Sequence, residues 1–148
     1  MSKSEIIGWK ETIDLPEWGV RHMLAKADTG ARSSALDVKN IRETGDGQVA
    51  FEIILDRKDR SKSKSIIASI AHQKHVRSSN GQKHERYFVK TNIRLGTKTK
   101  EVEFSLVSRK AMICRVLLGR KALENDFLVD SSRKYESRPR RKTLDCEI

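Results

Sequence analysis

This chain is short of cysteine, of aromatic residues and of long apolar runs, and each shortage closes off a class of protein. Cys114 and Cys146 are the only two cysteines, too few for a disulfide framework, and they lack zinc-ligand spacing. Aromatic residues make up 5% of the chain, which argues against a surface that stacks nucleic-acid bases. No apolar run approaches the roughly 20 residues of a membrane helix. Met1–Lys10 has no apolar core of a secretory signal. A reducing cytoplasm and no membrane contact are therefore expected. No His-Glu-x-x-His occurs, and Gly119-Arg120-Lys121 lacks the upstream glycine of a phosphate-binding loop. Of the histidines His22, His72, His75 and His84, the middle two lie three apart in a predicted strand and so on opposite faces. His22 reads as a strand residue at a partly exposed face. Neither a metal nor a cofactor is expected.

Acidic residues are also in deficit: 31 Lys and Arg stand against 20 Asp and Glu, a net charge of +11 over 148 residues. Such a balance suits an acidic partner, whether a peptide, a nucleic acid or an anionic surface, and it also simply keeps a protein soluble. The length fits one domain.

What the sequence does carry is a carboxylate on a tight loop. The apolar-leaning run Val20–Ala27 leads into Asp28-Thr29-Gly30-Ala31. A glycine lets backbone approach closely where a side chain would block it, and a threonine hydroxyl can brace the loop. Alone, the three residues also describe an ordinary turn. A second short apolar run, Val116-Leu117-Leu118, closes on Gly119-Arg120 and leads into a predicted helical turn or two over Lys121–Asp126.

The rest reads as strands. Glu5–Leu15 is rich in β-type residues, and Pro16–Gly19 is a turn. Ser33–Arg42 and Gln48–Leu55 flank the hairpin signal Gly45-Asp46-Gly47. Asp56–Ser65 is a charge-rich loop, read as solvated and mobile. Ile66–Val76 and His84–Leu95 form one long hairpin around Ser78-Ser79-Asn80-Gly81. Thr99–Val107 alternates apolar and polar. Ile113–Leu118 is apolar apart from Arg115, with Cys114 a small buried hydrophobe. Phe127–Val129 is a last short strand. Residues 1–136 are taken as one domain and residues 137–148 as a charged, disordered tail.

Taken together, Ile7-Gly8-Trp9, Lys26 to Leu36, Arg86-Tyr87, Leu117 to Arg120 and Phe127 to Asp130 resemble the retropepsin-like aspartic peptidases. The resemblance is closest to a small bacterial family named ATP-dependent zinc proteases, which is similar to retropepsins in fold. It implies an all-β, closed, mostly antiparallel barrel with one short C-terminal helix. It implies a catalytic loop of Asp28, Thr29 and Gly30, with Ala31 and Arg32 against substrate or a partner loop. The hairpin tip Ser79, Asn80 and Gly81 would be the flap that closes over substrate, and the hairpin from Ser33 to Leu55 an addition to the smallest viral enzymes. Leu117, Leu118 and Gly119 would pack around the loop, and Arg120 would fix the following helix.

Hydrolysis of an amide by carboxylates needs two that share a proton, one acting as base and the other as acid. The chain holds one Asp-Thr-Gly and no internal repeat, so the resemblance implies a homodimer with the site on its twofold axis. Many viral enzymes place an Asp where Arg32 stands, paired to the Arg after the later glycine. Arg32 cannot make that pair with Arg120. It either grips a substrate carboxylate or pairs with an internal acid such as Glu85 or Asp130. Relatives encoded beside ATP-grasp glutamate ligases imply trimming of glutamate tails added to a protein, which +11 would suit. Two other functions remain open: a basic, non-catalytic domain for RNA or a ribosomal surface, and a zinc hydrolase as the family name says.

Overall fold

The computed structural model describes residues 4–77, 81–109 and 112–137. Ten strands run in chain order: β1 (Glu5–Leu15), β2 (Val20–Ala27), β3 (Ser34–Glu43), β4 (Gln48–Ile54), β5 (Ser63–Ser69), β6 (His72–Arg77), β7 (Lys83–Leu95), β8 (Lys98–Val107), β9 (Val116–Leu118) and β10 (Phe127–Lys134). A one-turn helix, α1 (Arg120–Leu123), lies between β9 and β10, and Pro16–Trp18 forms a 3-10 turn. The hydrogen-bond ladder runs β1-β2-β9-β3-β8-β7, and Asp14 on β1 then pairs with Arg94 on β7. Those six strands close on themselves as a barrel. The fold is all-β, as the sequence implies.

Alternation builds the core. Ile7, Ile13, Leu15, Leu36, Phe104 and Leu118 point into the barrel and are wholly or almost wholly buried. Closure removes the free strand edges that an open sheet of this size would carry. Outside the ring, β10 pairs in parallel with β1, β6 pairs with β7, and β4 and β5 extend from β3. Antiparallel pairing is joined by three parallel pairs: β1 with β10, β2 with β9, and β3 with β8.

Several boundaries differ from the sequence reading. The expected strand Ile66–Val76 is two strands, because Ile70 N–H donates to Gly47 O while Ala71 N–H donates to Phe88 O, committing the chain to different neighbours on either side. Within Ile113–Leu118 only the last three residues are strand, since Arg115 turns its guanidinium onto buried Asp37 and Met112 O. The helix spans Arg120–Leu123 rather than Lys121–Asp126, and the final strand runs on to Lys134 along β1. The loop expected over Asp56–Ser65 ends earlier, because Ser63 to Ser65 pair with β4. That loop is also anchored: Arg60 donates to both Asp37 oxygens at 2.6 and 3.0 Å, and Lys39 Nζ donates to Arg60 O at 2.7 Å. Most of the expected tail lies outside the described residues, as do Ser79 and Asn80.

Candidate active site

Asp28 stands where β2 leaves the barrel. Its backbone N–H donates to Leu118 O at 2.8 Å, which carries the β2–β9 ladder one residue past Ala27. The chain then reverses: Ala31 N–H donates to Asp28 O at 3.2 Å, and Gly30 N–H donates to Asp28 Oδ1 at 3.0 Å. The carboxylate therefore caps its own turn, a local bond that Asp makes readily. It is half-buried, and among the described residues it meets no other hydrogen-bond donor.

The second motif holds this loop from behind. β9 lies between β2 and β3, with Leu117 opposite Lys26 on one side and Ala35 on the other. Leu118 is buried. Gly119 has an ordinary extended backbone, so space and not dihedral angle demands a glycine there. A Cβ would lie 2.5 Å from Ser33 O and 2.9 Å from Arg32 C. Its N–H donates to buried Ser34 Oγ at 3.0 Å. Arg120 N–H donates to Ala31 O at 2.8 Å and Lys121 N–H to Arg32 O at 3.1 Å. The Arg120 guanidinium donates to Thr29 O at 3.0 Å, so Arg120 reaches back to the Asp28 loop and not only to its own helix.

Asp28, Thr29, Gly30, Ala31, Arg32, Leu117, Leu118, Gly119 and Arg120 thus come together as one unit of two crossed loops. Gly81 lies apart in sequence at the end of the β6–β7 hairpin, exposed and with φ +85°. Arg32 is exposed. Neither suggested internal partner is paired with it: Asp130 meets Arg133 at 3.3 Å, and Glu85 accepts from Gln73 and Tyr87. His22 is exposed, with φ +59°. His72 stacks on Phe88 and His75 faces Glu85. Among the described residues, no three His, Cys, Asp or Glu side chains converge as a metal site.

Residues 6–140 match the model of the RimB-like family, described as retropepsin-like aspartic endopeptidase RimB. The chain belongs to that family. The RimB-like match spans both crossed loops. The chain is also 35% identical over 133 residues to a probable alpha-L-glutamate ligase of Shewanella pealeana, covering 88% of this chain and 29% of that protein. A protein of the same description from Parasynechococcus marenigrum is 30% identical over 139 residues, covering 92% of this chain and 30% of the relative. The chain thus spans less than a third of the curated relatives it matches. A Legionella pneumophila crystal structure of unknown function shares the fold, with TM-score 0.75 and 24% identity over 92% of this chain and all of that one. The relatives' descriptions contain no zinc protease.

Two features escaped the sequence reading. Asp37 is wholly buried between Arg115 and Arg60, and Arg109 N–H donates to it at 3.2 Å. Buried Glu11 accepts from Gly8, Glu136 and Ser137, tying β1 to the end of β10. Arg115 within an apolar run was the one available clue to the first.

Proposed function

We propose that this protein is an aspartic peptidase acting as a homodimer, in which Asp28 from each subunit forms a shared dyad that hydrolyses peptide bonds in an acidic chain. The observation that carries the reading is the crossed-loop brace around Asp28. Leu118 O, Gly119 and Arg120 fix the loop without occupying the carboxylate's outer oxygen. A rigid, half-buried carboxylate with a free face is what general acid–base work on a bound water requires. One Asp-Thr-Gly gives half a site, and a twofold axis supplies the other half. Thr29 and Gly30 then lie at the junction of the two loops, Ala31 and Arg32 flank the substrate, and Gly81 belongs to a closing hairpin.

The matched relatives are described as glutamate ligases, and a region like this chain makes up about 29% of one of them. Glutamate-bearing substrate is the simplest common factor, and a chain of net charge +11 suits it electrostatically. We therefore read the substrate as a glutamate tail on a protein in the cytoplasm.

The test is cleavage of a glutamate-tailed peptide beside a neutral one, by wild type and by Asp28→Asn, at low and high salt, with and without chelator. Asp28→Asn is expected to fold and to lose activity by several orders of magnitude, because an amide cannot take up and return the proton. Full activity of that variant would end the aspartic reading, loss on chelation alone would favour a zinc hydrolase, and equal cleavage of both peptides at both salts would remove the acidic substrate. Binding of RNA without hydrolysis of either peptide would favour the basic binding domain.

A further inference from the structure

Three lysines stand side by side across β10, β1 and β2. Lys10 pairs with Lys26 on one side and, just past a register shift after Gly8, with Lys134 on the other. Residues opposed in register project from one face, with Cβ atoms about 5 Å apart, and like charges placed this way repel. Among the described residues no carboxylate pairs with the row, and Lys134 has an aromatic partner. Lys10 and Lys26 have no ion pair among the described residues, and Lys134 Nζ lies 5.3 Å from the centre of the Trp9 ring. The nearby acids are engaged elsewhere: Asp130 with Arg133 and Ser132, Glu136 with Arg133, and Glu11 with the backbone of Gly8, Glu136 and Ser137. Burial pushes the Cys114 thiol up, and the charges of Lys10, Lys26 and Arg57 oppose that rise.

The Lys26 end of the row lies beside the candidate active site. Because the β2–β9 ladder continues to Asp28, strand alternation puts Lys26 and Asp28 on the same face, about 7 Å apart along the strand. We propose that Lys10, Lys26 and Lys134 form an anion-binding row that holds carboxylates of an acidic peptide beside Asp28. The proposal rests on Asp28 as the hydrolytic group and adds the residues that select its substrate. Repulsion within the row is relieved when carboxylates bridge the ammonium groups, which ties occupancy to substrate charge. Lys26 is closest to Asp28 in the chain, so it sets which carboxylate lies nearest the scissile bond.

The test uses the Asp28→Asn protein, so binding is read without turnover, and a fluorescent peptide ending in several glutamates, followed by anisotropy. Lys10→Gln with Lys26→Gln is expected to weaken binding about tenfold or more. Lys64→Gln with Lys90→Gln removes equal charge beside Trp18, near the far end of β2, and is expected to change binding less than about twofold. Without peptide, Lys26→Gln is expected to raise the melting temperature, since one repulsive neighbour is gone. Equal losses from both double variants would overturn the row in favour of net charge, as would no loss from either. Single-stranded RNA bound more tightly than peptide through the same lysines would overturn it in favour of nucleic acid. Tight row-dependent binding with no hydrolysis by wild type would sink the peptidase reading while leaving the row intact.

Discussion

At the scale of single residues, the loop depends on a few atoms that no composition reveals. Gly119→Ala is expected to cost about 1–3 kcal/mol by overpacking, because the new methyl meets backbone and not a yielding side chain. Ser34→Ala should cost a similar ~1–3 kcal/mol, since it strands the buried Gly119 N–H. Urea midpoints read both. Unchanged midpoints would mean that the loops are not clamped as described. Tyr87 gives a different check. Burial, and then its bonds to Glu43 and Glu85, push its phenol up to about 12. A raised folded value means its contribution is present below the unfolded value of roughly 10 and is lost as pH rises through the folded value. The tyrosinate absorbance step that Tyr87→Phe removes should therefore lie near pH 12 and not near 10. Asp28 and Gly119 were legible as residues because each ends an apolar run at a turn. The bond from Asp28 N–H to Leu118 O was not, because 90 positions separate them and only the closed barrel brings them together. The bond from Arg120 to Thr29 was hidden for the same reason.

At the scale of elements, strand existence was legible and strand ends were not. β-type residues marked β1 and alternation marked β8, since one face of each is committed to the core. The β5–β6 break had no such mark: Ile70 and Ala71 continue an apolar-leaning run, and the change of direction comes from which neighbour each N–H reaches. β10 was underestimated because Ser131–Lys134 is polar, yet its backbone follows β1. Charge within an apolar run was the better clue. Arg115, just before β9, pairs with Asp37 on β3, and Arg60 pins the β4–β5 loop to the same carboxylate. Asp37→Asn should cost about 3–5 kcal/mol, because it leaves two guanidinium groups around a buried site without their counter-charge. Thermal melts of Asp37→Asn beside Arg60→Gln would check this. The larger loss is expected at Asp37, since Arg60 keeps partial contact with water and Arg115 does not. Equal and small losses would show that the cluster is not a stabilising hub.

At the scale of the whole molecule, one barrel carries one Asp-Thr-Gly loop, and the chemistry proposed for it needs two. No helix among the described residues is long and apolar enough to cross a membrane. The net charge of +11 was legible from composition, whereas its concentration in the Lys10, Lys26 and Lys134 row followed only from register. Shared catalysis across a twofold axis has a signature that folding cannot mimic. Wild type is mixed with about a tenfold excess of Asp28→Asn, subunits are allowed to exchange, and hydrolysis of the glutamate-tailed peptide is measured per wild-type chain. If the two Asp28 carboxylates act together, most wild-type chains end in mixed pairs and the rate falls to about a tenth of its starting value. A rate per wild-type chain that does not change on mixing, with exchange verified, would contradict the shared dyad.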